Sequence, residues 1–383
     1  MGTKETDWPN RDLEEAYTLP SRYYYDPAIM EEEKRAIFFR SWTFVAHASE
    51  LARPGQFVTC DIFEQSVIVL RGMDQVLRAF HNVCQHRGNR LVKERRGENM
   101  RFVVCPYHAW TYGSDGLLRS APRTERLCNF DKGKFPLKSV RVQEFAGFVY
   151  VNLDSDAVDM ETLYPGAAAF LRNLSPDLDR LRFQSEEEVV IPVNWKVIVD
   201  NAIESYHVLL SGSRHRELAA FLDFAKDLPV TRNNWWTLGG PAKPGLKEIF
   251  GVEIGNEPYQ TEIYMNWWLF PNTCVYLVPY VDFVATFLIV PQEAEKTLVR
   301  FGYYVPDRPE TRATAACRQW MNEGLGPEDF ELNLSVQKGL KSFGFDQGRY
   351  MIDPERSNES EHAVHHFHTK VYEALRAQRA PSP

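Results

Sequence analysis

No run of about 18 apolar residues occurs anywhere in the chain, so the sequence offers no candidate transmembrane helix. Positive charge is in deficit: 44 Lys and Arg stand against 52 Asp and Glu, a formal net charge of −8. Binding through phosphates needs a basic face, so nucleic acid is not an expected partner. Cysteine is scarce, at six residues, and the N-terminus reads MGTKETDWPNRDLEE, charged where a secretory leader would be apolar. A disulfide framework is therefore not expected, and a cytoplasmic location is. Met1-Gly2 with Thr6 matches the loose myristoylation pattern, but no other feature points to a membrane. Internal repeats and low-complexity segments are also missing, which excludes a solenoid.

What is present is an ordinary globular composition, 44% hydrophobic and 25% charged over 383 residues, enough for two or three domains. Residues 1–41 read as a charged helical lead-in. From 42 to 155 short β-like runs (QFVTCDIF, SVIVLRG, RFVVCPYH, GFVYVNLD) alternate with Gly, Asp and Asn turn signals, the pattern of a small all-β domain. Residues 156–383 mix helical segments with an aromatic β region, so this part is expected to be α+β with helices flanking an antiparallel sheet. Residues 155–185 read as helical and acidic, and IPVNWKVIVDNAIESYHVLL reads as one amphipathic helix.

Two of the cysteines carry a metal-ligand pattern. Cys84-x-His86 is followed after 18 residues by Cys105-x-x-His108. Each half supplies one thiolate and one imidazole, whereas zinc fingers usually pair two cysteines first and two histidines second. The mixed arrangement fits a Rieske-type [2Fe–2S] cluster, with Cys84 and Cys105 on one iron and His86 and His108 on the other; neutral imidazoles raise its reduction potential. Cys60, Cys128, Cys274 and Cys317 lack such spacing.

With His86-Arg87-Gly88, Pro106-Tyr107-His108 and Trp110 in place, the sequence resembles the α subunits of the Rieske non-heme iron ring-hydroxylating oxygenases over nearly its whole length. Ala109 stands where that family usually has Gly. The resemblance implies a Rieske domain joined to a helix-grip (START-like) catalytic domain holding a mononuclear Fe(II), with O₂ as co-substrate. Such an iron is typically bound by two His and one carboxylate, leaving open positions.

Asn201, Glu204 and His207 recur every three residues, a spacing that puts them on one face if the helix is continuous. A lone Glu-x-x-His on a helix is usually a surface pair; the cluster motif upstream is what turns it toward a metal reading. His207 is the first expected ligand. The family has its second His after four intervening residues; here the next is His215, with seven between. Ser211-Gly212-Ser213 can break the helix in the interval, and His215 is taken as the second ligand. For the third, PEDFELNLSVQKG resembles the family segment that supplies a carboxylate: Asp329 is chosen, with Glu328 and Glu331 as alternatives. Acids there also suit a helix first turn. Glu204 matches the acid that bridges to a cluster histidine of a neighbouring subunit, which implies a homotrimer, and Asn201 is expected as a polar residue near the iron. His362, His365, His366 and His368 are read as packing or surface residues of a closing helix.

The resemblance implies that a reductase or ferredoxin passes NAD(P)H-derived electrons through the cluster to the iron. A small organic substrate is then hydroxylated, first of all an aromatic compound. The alternative is a quaternary ammonium compound of the carnitine, choline or betaine kind, suggested by Glu204 where many members have Asp and by the ending GRYMIDPERSNESEHAVHHFH. Trp235, Trp236, Trp267, Trp268, Phe270, Tyr276, Tyr280 and Phe283 are mostly core, some of them cavity wall, and suit either substrate. The rivals of another kind are a Rieske electron carrier and a binding protein that kept the fold; more than 200 residues after the cluster motif argue against the carrier.

Overall fold

The computed structural model describes residues 12–223 and 230–379. The chain divides into a small unit, Phe38–Ala168, and a large unit formed from the described residues on either side of it. The small unit thus starts before residue 42 and ends after 155. Its tail is tied down by side chains: Trp42 Nε1 donates to the Val158 carbonyl at 2.9 Å, and the Met160 amide donates to Gln143 Oε1 at 2.9 Å.

Helix α1 (Pro27–Glu33) opens the large unit; the Asp26 carboxylate caps it by accepting from the Ala28 amide. The small unit contains β1 (Thr43–His47), β2 (Phe57–Ile62), β3 (Gln65–Arg71), β4 (Leu77–His81), β5 (Arg96–Gly97), β6 (Phe102–Val104), β7 (Thr111–Gly113), β8 (Leu118–Ser120), β9 (Ser139–Phe145), β10 (Phe148–Asn152) and the short helix α2 (Met160–Leu163). Seven strands form one antiparallel sheet, in the order β1-β10-β9-β4-β3-β2-β5, and β6-β7-β8 form a second. Val67 to Leu70 in β3 are wholly buried, as expected for an unbroken β-branched run covered on both faces. A hydrophobic cluster of Phe57, Ile68, Leu70, Phe80, Trp110 and Tyr112 also takes in Cys84 and Cys105.

After α3 (Ala167–Leu174), the large unit continues with β11 (Arg182–Ile191), α4 (Trp195–Ala202), α5 (Ser213–Phe221), β12 (Trp235–Pro241), the hairpin β13 (Glu248–Ile249) and β14 (Val252–Glu253), and β15 (Ile263–Leu269). Then follow β16 (Thr273–Leu277), β17 (Val284–Glu293), β18 (Lys296–Val305), α6 (Arg312–Trp320), α7 (Gly326–Gly339) and α8 (His362–Arg379). Its antiparallel sheet runs β11-β18-β17-β16-β15-β12, and α4 packs on β17 and on α7. This is the expected α+β class, with helices held against an antiparallel sheet.

Two expected elements differ. Residues 182–185, read as the end of the helical stretch 155–185, instead open the edge strand β11; its glutamates are stabilised by the neighbouring strand, where Arg300 donates to Glu188 at 2.7 Å. The amphipathic helix expected over 191–210 is helical only as α4, which stops at Ala202; the next helix, α5, starts at Ser213. No helix among the described residues is long and apolar enough to cross a membrane.

Helix α4 is seated by a buried charge pair. Lys196 and Glu33 are both fully buried, and Lys196 Nζ donates to Glu33 Oε1 at 2.7 Å while Trp195 Nε1 donates to Glu33 Oε2 at 2.7 Å. Burial pulls the Lys196 ammonium down, and Glu33 opposes the shift. Removing one partner strands the other charge in the core. Lys196→Met is expected to cost about 3–5 kcal/mol in chemical denaturation, and Glu33→Gln with Lys196→Met to recover part of that loss.

Candidate functional site

The cluster motif folds into two loops of the same design. In the first, the Cys84 amide donates to the Asn89 carbonyl at 2.8 Å and the Gly88 amide to the Cys84 carbonyl at 3.0 Å. In the second, the Cys105 amide donates to the Trp110 carbonyl at 2.8 Å and the Ala109 amide to the Cys105 carbonyl at 3.0 Å. The equivalent residues Gly88 (φ +71°) and Ala109 (φ +56°) are left-handed, which explains why Gly suits the second position too. Both cysteines are buried, whereas His86 and His108 are exposed with ring centroids 4.8 Å apart. The His86 ring stacks on Trp110 at 4.9 Å. Tyr112 Oη lies 3.4 Å from Cys84 Sγ and accepts from the Gln85 amide at 3.0 Å.

Burial pushes the Cys84 thiol up, and Cys105 beside it adds to the shift, so two thiolates at this spot call for a cationic centre between them. Soft sulfur donors on the buried side and imidazoles on the open side fit a [2Fe–2S] cluster of mixed ligation.

In the large unit, His207, His215 and Asp329 come together, each offering one donor atom, all within 4.8 Å of one another. The path of the chain explains how. Ser205 donates both its amide (3.1 Å) and its hydroxyl (2.7 Å) to the Asn358 carbonyl, which draws the backbone out of the α4 spiral. The Glu204 carboxylate accepts from the His207 amide at 3.1 Å and closes a turn. Helix α5 then starts on Glu328, which accepts from the Ser213 hydroxyl and Arg214 amide at 3.1 Å and from the His215 amide at 3.3 Å. A Cβ at Gly212 would collide with that carboxylate, so glycine before α5 lets Glu328 keep its hydrogen bonds to the start of the helix.

Each imidazole is held from behind. His207 Nδ1 bonds to Glu204 Oε1, and His215 Nδ1 bonds to Glu328 Oε2 at 2.9 Å. That leaves both Nε2 atoms facing Asp329 Oδ1, at 3.6 Å from His207 and 2.9 Å from His215. A carboxylate on the far nitrogen fixes the tautomer and orientation that a metal-binding histidine needs. Two imidazoles and one carboxylate oxygen, with Asn201 Nδ2 at 3.4 Å from His207 Nε2, fit a mononuclear Fe(II). Of the two alternative acids, Glu331 is exposed, and Glu328 stands behind His215 rather than beside Asp329. Its place behind His215 was not read from the sequence, where it stood as an alternative to Asp329. The closing-helix histidines form no metal-type group among the described residues; His368 is buried against Asp200 and Tyr350.

A cavity of about 380 Å³ lies over this group, walled in part by side chains of the large unit's sheet. Cross-strand register lines up its side chains: Cys274 faces Phe287, Phe287 faces Phe301, and Phe301 faces Glu187, while Asn266 pairs with Tyr276. Of the eight aromatics singled out in the sequence, only Tyr276 lines the cavity; the other wall aromatics are Tyr264, Phe287, Phe301, Tyr303 and Phe330. Trp235, Trp236, Trp267, Trp268 and Phe283 are core instead.

Residues 41–140 match the model of the Rieske [2Fe-2S] domain, and residues 178–377 match that of the ring hydroxylating alpha subunit (catalytic domain). The chain belongs to the Rieske non-heme iron oxygenases, as an α subunit. This oxygenase is 36% identical over 364 residues to the carnitine monooxygenase oxygenase subunit of Escherichia coli (strain K12), covering 95% of each chain. It is 30% identical to the chloroplastic choline monooxygenase of Beta vulgaris, over 96% of this chain and 79% of that one. A solved quaternary ammonium Rieske monooxygenase, described for carnitine oxidation and inter-subunit electron transfer, superimposes with a TM-score of 0.85 at 35% identity, covering 94% of this chain and 96% of that one. The oxygenase therefore carries a Rieske cluster and a mononuclear iron and uses O₂, which sets aside the readings as a plain electron carrier or a binding protein.

The electrostatics make a pH test possible. Burial alone would lower the His207 imidazole, but hydrogen bonds to Asp329 and Glu204 win and raise it to about 9. Its contribution to stability in iron-stripped protein is fully present below the ordinary histidine value of 6.5 and is lost as pH rises through about 9. Urea titrations of chelator-stripped protein should show the midpoint falling across that window. His207→Asn should flatten the fall; an unchanged pH profile in the variant would contradict the assignment.

Proposed function

We propose that this chain is the oxygenase component of a monooxygenase acting on a quaternary ammonium compound. In it Cys84, His86, Cys105 and His108 hold the Rieske cluster, and His207, His215 and Asp329 hold the mononuclear iron. The observation that carries the iron site is the convergence of three donor atoms within 4.8 Å, with each imidazole held from behind by its own carboxylate. The sequence pointed first to an aromatic substrate. The relatives named for carnitine and choline weigh instead for the alternative. The chemistry of the cavity agrees, since aromatic faces attract an alkylammonium group.

The reaction class is hydroxylation of a carbon next to the quaternary nitrogen. Substrate, O₂, two electrons and two protons give the hydroxylated product and water. When bound, the cluster supplies electrons singly and the iron supplies oxygen activation. The chain's own part is positional. Asp329 and the two imidazoles occupy one side of the site, so that the other side faces the cavity; Phe287, Phe301 and Tyr303 give the substrate a largely apolar wall. Glu204, whose carboxylate touches His207 Nδ1, is the residue by which we connect this iron to a cluster histidine of a neighbouring subunit. A homotrimer and a separate reductase or ferredoxin as electron donor belong to this reading. Two features support it: the match to a relative described for inter-subunit electron transfer, and the exposure of His86 and His108, which lets a partner reach them. In this reading the segment before the cluster domain serves the catalytic domain, and the expected limits of 1–41, 42–155 and 156–383 shift to the compact small unit Phe38–Ala168.

Iron analysis tests the assignment. The wild-type chain should hold three iron atoms, two in the cluster and one mononuclear. His207→Ala and Asp329→Ala should each lose one iron, keep the visible spectrum of the cluster and lose activity by about a thousandfold or more. Cys84→Ser should lose the cluster spectrum. Retention of all three irons in Asp329→Ala would move the third ligand elsewhere.

A further inference from the structure

The substrate class can be narrowed from β11, on the reading that the site takes a quaternary ammonium compound. Three glutamates follow one another in this strand, and strand alternation sends them to two faces. Glu186 and Glu188 share Arg300, at 3.7 and 2.7 Å. Glu187 points the other way and lies opposite Phe301; it lines the cavity, as Glu188 also does, and both are exposed. Among the described residues it has no ion-pair partner. It is oriented instead by a neutral relay: Asn322 Nδ2 donates to Glu187 Oε2 at 2.7 Å, and the Tyr303 hydroxyl donates to Asn322 Oδ1 at 3.1 Å. The carboxylate is thus held at the exposed side of the cavity, across the strand from Phe301 and one hydrogen-bond relay from Tyr303, with no cation paired to it among the described residues.

No lysine or arginine lines the cavity among the described residues. The Arg318 guanidinium, 5.5 Å from the Tyr303 ring centre, is committed to Glu310 at 2.6 Å and Gln184 at 3.0 Å. Rings plus an unpaired carboxylate suit an alkylammonium cation, which gains from both. A zwitterion that also carries a carboxylate would bring a second negative charge to a wall where no lysine or arginine among the described residues can receive it, and it would be repelled by Glu187.

We propose that Glu187 selects the substrate by charge, and that this pocket takes a quaternary ammonium cation without a carboxylate, of the choline type rather than the betaine type. Glu187 touches no iron-binding residue in the structure; its effect is on substrate affinity.

The test is calorimetric binding to the iron-loaded, oxygen-free enzyme. The ligands are choline, its uncharged carbon isostere dimethylbutanol, glycine betaine and L-carnitine, each at low and high salt, with wild type and Glu187→Gln. Choline should bind about tenfold or more tightly than the isostere and both betaines. Glu187→Gln should weaken choline by about five- to tenfold, leave the isostere unchanged and remove most of the salt dependence. Glu187→Asp should recover part of the choline affinity, which a carboxylate that merely braces Asn322 would not require. Betaines binding as tightly as choline, or an unchanged choline Kd in Glu187→Gln, would overturn the selection while leaving the quaternary ammonium reading intact. If no quaternary ammonium compound binds and an aromatic acid does, the substrate reading itself falls and the selection with it.

Discussion

The clamp between Ser205 and the Asn358 carbonyl is the contact on which the proposed iron site depends. It ends α4 after Ala202 by giving the backbone and the hydroxyl of Ser205 a better acceptor than the helix offers. On an unbroken helix, residues eight apart such as His207 and His215 would diverge by roughly 80°. With the helix broken, their ring centroids come to 5.1 Å and both face one carboxylate. Asn358 is in turn bonded through its side-chain amide to the Gly239 backbone, Nδ2 donating to the carbonyl at 2.8 Å and Oδ1 accepting from the amide at 3.2 Å. The turn is therefore fastened to the sheet that walls the cavity, so the site and its pocket are set by the same hydrogen bonds.

Carboxylates do two jobs around this turn. Asp329 faces the shared donor atoms, while Glu204 and Glu328 hold the outer nitrogens and build the backbone, one closing the His207 turn and the other starting α5. Glu328 is drawn down to about 2, since its bonds to the Arg214 and His215 amides and to the His215 ring outweigh burial. A residue that orders a loop and orients a ligand at once is costly to replace, which makes the site rigid on the substrate side.

How far the sequence could be read depended on how local the signals were. The cluster motif lies in two loops whose hydrogen bonds join residues four and five apart, so Cys84, His86, Cys105 and His108 were recognisable from spacing alone. His207, His215 and Asp329 were singled out through family likeness, because nothing within the sequence tells Asp329 from Glu328; the structure brings the three together. The break after Ala202 was missed since its cause, Asn358, lies more than 150 residues away. The strand β11 was hidden by its glutamates, which are tolerated because Arg300 and Asn322 sit beside them on other elements. The aromatic strands were legible as mostly core, but which ring lines the pocket was not: the register across β15 to β18 decides that, and of the eight aromatics singled out it is Tyr276.

The central claim is that one chain type stores an electron in its cluster and spends it on a substrate at a separate iron. Single turnover tests this most directly. Enzyme reduced with dithionite and freed of excess reductant is mixed with O₂, with or without choline, and followed by cluster absorbance and product mass. Oxidation of the cluster that requires substrate and matches the hydroxylated product in amount is the expected result. Equal cluster oxidation with and without substrate, and no product from any quaternary ammonium compound, would contradict it.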